Sequence, residues 1–389
     1  METRRQLLQS VRPAILSLSF LLLPMWRVAQ TVSLLAVLAI GIDGCAAMPY
    51  TPAEPTVGII SEIAPHAVSM LSPDEGWAVG ARQAEGLHYH DGRWTRVSIP
   101  VPTGNYTDTQ YTGIAALAPN DVWAVSYNGG FFAHYDGTTW SVVSTNLPGD
   151  LALQGIAMVS ATEGWAVGLS GFLHYTHGQW VDARNLLPPR PASLATYDSY
   201  PGMRGICMLT PTNGWVVGNA GAIWHYDGTS WQSVASPSLE KTVALFSVRM
   251  ISANEGWAVG GTVELSVGDA AVIEHYVGGR WSVFSRPNAS IWGSPGHPSL
   301  HAIAMVSASE GWAAGQRVQR DWAGSEAPLY NDVAHSLLLH YEGGRWTEVA
   351  VPNLLTIKEI ALVAPGEGWA AADGGLLHLH DGIWTAVVS

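Results

Sequence analysis

Seven recurrences of one tryptophan-marked unit, a glycine turn at a fixed place in each, and a composition rich in glycine and poor in charge predict an all-β chain. The expected form is a seven-bladed β-propeller of four-stranded antiparallel blades. Of 389 residues only 13% are charged, while 42 are Gly, 18 are Trp and 48% are hydrophobic. That hydrophobic share excludes disorder. The lack of Ala, Glu, Lys, Leu and Arg dominance excludes coiled coil.

One Trp marks the second strand of each copy: Trp77, Trp123, Trp165, Trp215, Trp257, Trp312 and Trp369. Another follows in the fourth strand: Trp94, Trp140, Trp180, Trp231, Trp281, Trp346 and Trp384. Between them stands His-Tyr, at His88, His134, His174, His225, His275 and His340, with His378-Leu379 the one exception. The third copy shows the four strands in order. They are Gly155-Ile156-Ala157-Met158-Val159, Gly164-Trp165-Ala166-Val167-Gly168, Phe172-Leu173-His174-Tyr175 and Gln179-Trp180-Val181-Asp182. These runs are short, β-branched or aromatic, and bounded by Gly, Asp and Ser. Asp-Gly or Gly-Gly separates the third and fourth strands in six copies, and His177-Gly178 does so in the remaining one. Such pairs favour the positive φ of a two-residue hairpin.

A lone four-stranded unit leaves both sheet faces bare. Set in a ring, each sheet is covered by two neighbours, which accounts for strands that are apolar or small on both faces. The tryptophans then act as wedges between blades. The first copy opens near His66 and the last ends near Val387. Closure is open between packing of the last blade on the first and an extra strand from Thr56-Val57-Gly58-Ile59-Ile60.

Together, Ile-x-Met, Gly-Trp-Ala-Val-Gly, Leu-His-Tyr and Asp-Gly-x-x-Trp resemble the repeat of the photosystem II assembly-factor family. They are also similar to the BNR or Asp-box repeats of sialidases. Both resemblances cover about residues 61–389 and imply a propeller. They imply no single activity, since such repeats serve enzymes and scaffolds alike.

Three regions follow in order: 1–44 as a membrane-targeting segment, 45–60 as a tether and 61–389 as the propeller. Arg4, Arg5 and Arg12 precede an apolar stretch at 14–23, and a second apolar run at 32–42 leads into Asp43-Gly44-Cys45. This resembles a lipoprotein signal with Cys45 as the lipidated residue; an uncleaved anchor is the alternative. Either version places the propeller outside the cytoplasm, anchored to the cell membrane. Cys207, on an apolar strand, then has no disulfide partner. Without 1–44 the chain holds 14 basic and 29 acidic residues, a net of −15. So acidic a surface repels phosphate backbones and excludes nucleic acid as a partner.

Spacing locates the functional rim. From repeat His to second Trp the step is six residues in every copy. From marker Trp to repeat His it runs from 9 to 28, and from second Trp to the next marker from 23 to 35. Strands alternate in direction, so all the variation falls on one rim, the expected binding surface. Its loops hold Tyr197, Tyr200, Trp292, Arg317, Arg320 and Trp322, residue types favoured at contact hot spots. Eleven residues before each marker stand His66, Thr112, Gln154, Arg204, Phe246, His301 and Lys358, at the channel mouth. Eight before, the residues are small except Arg249. Arg204, Arg249, Lys358 and His301 make a positive focus suited to a carboxylate, a sulfate or a peptide C-terminus. An Arg249–Glu359 ion pair is the competing reading.

The repeat histidines stand one per blade and do not converge. His88-Tyr89-His90 and His378-Leu379-His380 place two imidazoles on one strand face, but no third ligand is evident, so no metal or cofactor is expected. The acids before Gly-Trp (Glu75, Glu163, Glu255, Glu310, Glu367) are expected to cap turn amides. No Gly-x-Ser-x-Gly, phosphate loop or metal motif appears. The chain is therefore expected to be a non-enzymatic, membrane-tethered monomer binding a protein or peptide through its variable rim. The alternative is a glycan-binding or sialidase-like propeller with Arg204, Arg249 and Arg320 around a carboxylate.

Overall fold

The computed structural model describes residues 62–80, 84–102, 109–143, 145, 147, 151–188, 202–238, 242–262, 271–286, 297–322 and 330–387, with backbone alone at 297, 319–322 and 330–333. The segment 1–44, Cys45, the tether 45–60, and Tyr197, Tyr200 and Trp292 lie outside the described residues. So does the stretch 56–60 weighed as an added strand. Among the described residues no helix is long and apolar enough to cross a membrane.

Seven antiparallel sheets of four strands each follow in chain order. Blade one is β1 (Pro65–Ser72), β2 (Glu75–Gly80), β3 (Glu85–His90) and β4 (Arg93–Ser98). Blade two is β5 (Tyr111–Ala118), β6 (Asp121–Ser126), β7 (Phe132–Tyr135) and β8 (Trp140–Val143). Blade three is β9 (Leu153–Ser160), β10 (Glu163–Gly168), β11 (Phe172–Thr176) and β12 (Gln179–Asp182). Blade four is β13 (Met203–Thr210), β14 (Asn213–Gly218), β15 (Ile223–Tyr226) and β16 (Trp231–Val234). Blade five is β17 (Val243–Ser252), β18 (Glu255–Thr262), β19 (Ala271–Val277) and β20 (Arg280–Ser285). Blade six is β21 (His297–Ser307), β22 (Glu310–Trp322), β23 (Tyr330–Glu342) and β24 (Arg345–Glu348). Blade seven is β25 (Ile357–Ala364), β26 (Glu367–Ala372), β27 (Gly375–His380) and β28 (Ile383–Ala386).

Each innermost strand packs on the next, and β25 returns to β1. The chain is thus a closed seven-bladed propeller. Among the described residues every sheet is built of consecutive strands, so blade seven closes on blade one by side-chain packing. That seam joins Trp369, Ala371 and Leu376 to Val68, Leu87, Tyr89 and Ile63 in one buried cluster.

The two tryptophans of each copy meet across blades rather than within one. Each marker Trp stands edge-on to the fourth-strand Trp of the following blade, as in Trp77–Trp140 (5.6 Å, 80°) and Trp165–Trp231 (5.3 Å, 82°). Trp369–Trp94 (5.1 Å, 86°) completes the circle. In this geometry the positive ring edge meets the negative face of its neighbour.

The Gly of Gly-Trp is set by packing. A Cβ on Gly164 would lie 2.3 Å from the Met158 sulfur, and one on Gly256 would lie 2.2 Å from that of Met250. Blade two carries Val122 and Ala116 at these two positions, which face each other in register. The volume removed from one strand is restored on its partner, which explains the single Val-Trp-Ala copy.

The turns follow expectation in five blades. Asp91-Gly92 and Asp381-Gly382, for example, take positive φ at both residues. Blades two and four depart from it. Tyr135 pairs with Trp140 there, leaving four residues in the loop. Asp136 Oδ1 accepts from Thr138 N and Thr139 N, both at 2.8 Å. The competing side-chain acceptor widens the turn.

Candidate functional site: the channel mouth

All seven innermost strands carry a β-bulge near their start. The ladder slips between Pro65 and Ala67, Tyr111 and Gly113, Met203 and Gly205, Leu245 and Ser247, and at the corresponding places elsewhere. The residues left out of the pairing are His66, Thr112, Gln154, Arg204, Phe246, His301 and Lys358. A bulge frees one residue from the ladder and re-aims its side chain. Here it aims all seven into a central cavity of about 650 Å³. The strands start at the variable rim, so that is where this ring opens.

Arg204 is held by neutral acceptors. Its Nε donates to Asn219 Oδ1 at 2.8 Å and its Nη1 to Gln154 Oε1 at 3.3 Å. The guanidinium carbon lies 5.1 Å from the Phe246 ring centroid. Phe246 in turn stacks on His301 at 4.7 Å. Burial pushes the Arg204 pKa down, and among the described residues no carboxylate lies within ion-pair distance of it. Lys358 Nζ lies 3.4 Å from Asp373 Oδ1.

The two imidazoles do not add charge. Burial, reinforced by Lys358, pushes His66 down to about 4. Burial, with Lys358, His66 and Arg204 beside it, pushes His301 down to about 3. Both are neutral near pH 7, which corrects the inclusion of His301 in the positive focus. His66 Nδ1 donates to Thr112 O at 3.2 Å, and His301 Nε2 shares a 3.0 Å hydrogen bond with Ser299 Oγ.

Deeper in the channel, Arg249 is exposed to its solvent. The described residues give it no carboxylate within ion-pair distance. Glu359 lines the same cavity, and burial pushes its pKa up to about 7 against the pull of Arg249. Ten residues before the marker, where blade seven has Glu359, the other blades have Ala67, Gly113, Gly155, Gly205, Ser247 and Ala302. That single departure from a small-residue position is the sequence signal for Glu359. The cavity is thus lined by Arg204, by Arg249 with the weakened acid Glu359, and by Lys358, which is paired with Asp373.

The other expected residues fare differently. Arg317 is occupied within its blade, with Nη1 donating to Glu348 Oε1 at 3.1 Å and Nη2 to Oε2 at 2.8 Å. Arg320 and Trp322 lie on an extended hairpin of blade six, paired as far as Trp322 with Tyr330, where a loop was expected. Cys207 is a buried free thiol and accepts from Met250 N at 3.5 Å.

The acids before Gly-Trp do not cap turns. Ser and Thr hydroxyls do so, as Ser160 Oγ does for Thr162 N. Four of the acids, Glu75, Glu163, Glu255 and Glu367, instead hold the repeat histidines, as Asp121 does in blade two, whereas His340 Nε2 beside Glu310 has no partner among the described residues. His88 Nε2 donates to Glu75 at 2.7 Å, His134 Nε2 to Asp121 at 2.9 Å and His378 Nε2 to Glu367 at 2.6 Å. Each marker Trp lies opposite its repeat His in register and against its ring, at 3.8 Å in Trp77–His88 and 3.9 Å in Trp257–His275.

No family model matches the chain, and no curated protein does. Solved structures share its fold. YCF48 bound to D1 peptide matches with a TM-score of 0.55 and 17% identity, over 86% of this chain and 98% of that one. Virginiamycin B lyase from Staphylococcus aureus matches at 0.58 and 13%, over 84% and 96%. The WD40 propeller domain of Doa1 matches at 0.56 and 8%, over 83% and 93%. At these identities the likeness shows the propeller architecture alone. The lyase also overturns the expectation of a non-enzymatic chain, because an enzyme is built on this frame.

Proposed function

We propose that the protein binds an anionic segment of a peptide or protein partner at the variable rim, with a carboxylate seated over the channel mouth. The observation that carries this reading is Arg204, a recessed guanidinium supported by Asn219, Gln154 and Phe246 and, among the described residues, by no carboxylate. Arg249 lines the cavity below it, and Lys358, paired with Asp373, lines it from blade seven. A guanidinium fixed in place and short of counter-charge favours a bidentate carboxylate. One neighbour on this fold, YCF48 with its D1 peptide, adds support for recognition of a peptide chain. The basic, apolar leader ending at Cys45 supports an extracytoplasmic, membrane-tethered setting.

The test starts from a C-terminally displayed peptide library selected against the full chain. Fluorescence anisotropy then compares a selected acidic peptide with its C-terminal amide. Arg204→Ala with Arg249→Ala is expected to weaken the free-acid peptide at least tenfold, about 1.4 kcal/mol, with the unfolding midpoint unchanged. Equal affinity in wild type and double variant removes the channel mouth from the binding surface.

A further inference from the structure

The opposite rim carries a second kind of site. Six blades hold the repeat His with an acid or amide from the start of the second strand, in Glu75–His88, Asp121–His134, Glu163–His174, Asn213–His225, Glu255–His275 and Glu367–His378. That pair, stacked on the marker Trp, is a structural device of the repeat. Blades one and seven add something the repeat does not need. Two residues after the repeat His, the other blades carry Asp136, Thr176, Asp227, Val277 and Glu342, whereas these two carry His90 and His380.

Both added imidazoles turn back onto the same carboxylate. His90 Nδ1 lies 2.8 Å from Glu75 Oε2, and His380 Nδ1 lies 2.8 Å from Glu367 Oε2. In each triad the three donor atoms stand within 4.8 Å of one another. A tetrahedral zinc ion with ligands at about 2.0–2.1 Å sets its donors about 3.3 Å apart. Exchange of the bridging protons for a metal asks the hydrogen-bonded pairs, now at 2.6–2.8 Å, to open by about half an ångström, and the remaining pair, at most 4.8 Å apart, to close by up to about 1.5 Å. The ligand rings are already oriented. His88 and His378 lie flat on Trp77 and Trp369, at 3.8 and 4.1 Å. The outer nitrogens of the added histidines face a further carboxylate, His90 Nε2 to Asp91 at 3.5 Å and His380 Nε2 to Asp381 at 3.6 Å. A carboxylate on the far side of a ligating imidazole is the usual outer support of a zinc site.

We propose that blades one and seven each bind a zinc ion, through His88, His90 and Glu75 and through His378, His380 and Glu367. Two imidazoles and a carboxylate suit zinc, and three protein ligands leave its fourth position open. With His90 61% and His380 68% exposed, that position faces solvent and is free for water or a donor from another molecule. The two sites stand on neighbouring blades at the closing seam, on the rim away from the proposed peptide site.

The test uses the full chain, tag removed and stripped with chelator, titrated with Zn²⁺ by calorimetry and checked by metal analysis after dialysis. Two ions per chain are expected, falling to one in His90→Gln, one in His380→Gln and none in the double variant. His174→Gln, which lacks a second imidazole beside it, keeps two. Co²⁺ in place of zinc is expected to give visible absorption that the double variant loses. Asp91→Asn is expected to weaken one site at least tenfold. Both added histidines are largely exposed, so the variants keep the apo unfolding midpoint. Fewer than two ions in wild type, or two ions retained by the double variant, overturns the proposal.

Discussion

The two rims of this ring are made by the same 28 strands and differ in what each strand end is asked to do. On the uniform rim the steps between repeat residues are fixed in sequence, and a pairing of acid or amide with the repeat His, stacked on the marker Trp, recurs in six blades. On the variable rim the loops differ in length, and a bulge in every inner strand sends a different side chain into the channel. Repetition at one end makes the frame, and it leaves the other end free to diversify at little cost to the ring. Function at the uniform rim then arises only where two blades add a residue to the common pattern, as at His90 and His380.

The strongest way to break this comparison is to remove the frame both rims share. Trp369 is buried at the seam and meets Trp94 and Tyr89 of blade one. Trp369→Ala is expected to cost about 4 kcal/mol by chemical denaturation. The same change at Trp165, away from the seam, should cost as much, since every blade junction uses the same edge-on pair. A much larger loss at Trp369 alone would mean that closure is a special weak point.

A smaller effect tests the Gly–Met exchange. Gly164→Val is expected to destabilise by about 2–3 kcal/mol through collision with Met158. Adding Met158→Ala, which rebuilds the Ala116–Val122 arrangement, should recover most of the loss. Absence of recovery would show that blade two differs by more than this pair.

The frame was legible in the sequence because packing in a ring demands the same residues at the same step in each copy. The marker Trp, the repeat His and the fixed turns are all outcomes of that demand. The bulge was not legible, since it is a slip in hydrogen-bond register that leaves no composition signal at Arg204 or Phe246. The ladder partners of Glu75 were hidden for a related reason. Its acceptor role toward His88 and His90 follows from β2–β3 pairing across 13 and 15 residues, a separation that shifts from blade to blade with the variable loop. Arg317 looked free because its partner Glu348 lies 31 residues away.

The variable rim carries titrating groups whose pH response separates it from the frame. His66 and His301 titrate lower in the folded chain than in the unfolded one. Between pH 6.5 and about 4 the unfolded state therefore binds more protons, and stability is lost as pH falls through that window. Both rings touch channel solvent, which reduces the effect to about 2 kcal/mol. His66→Gln with His301→Gln should flatten the acid limb of a stability–pH profile by that amount and leave stability near pH 8 little changed.

Glu359 gives the smallest and most discriminating effect, because it has the opposite sign. Its folded pKa of about 7 lies above the usual carboxylate value, so the folded state holds the extra proton between about 4.5 and 7. Stability from this group is complete below that window and is lost as pH rises through it. Glu359→Gln copies the protonated form. It should match wild type at pH 5 and exceed it at pH 8 by about 1–2 kcal/mol, the channel's solvent trimming the full value. The same substitution removes the acid that opposes Arg249, so an anionic peptide should bind more tightly to the variant at pH 8 and equally at pH 5. If stability and affinity instead fall at both pH values, Glu359 is an ionised partner of Arg249, and the positive focus at the mouth reduces to Arg204 and Lys358.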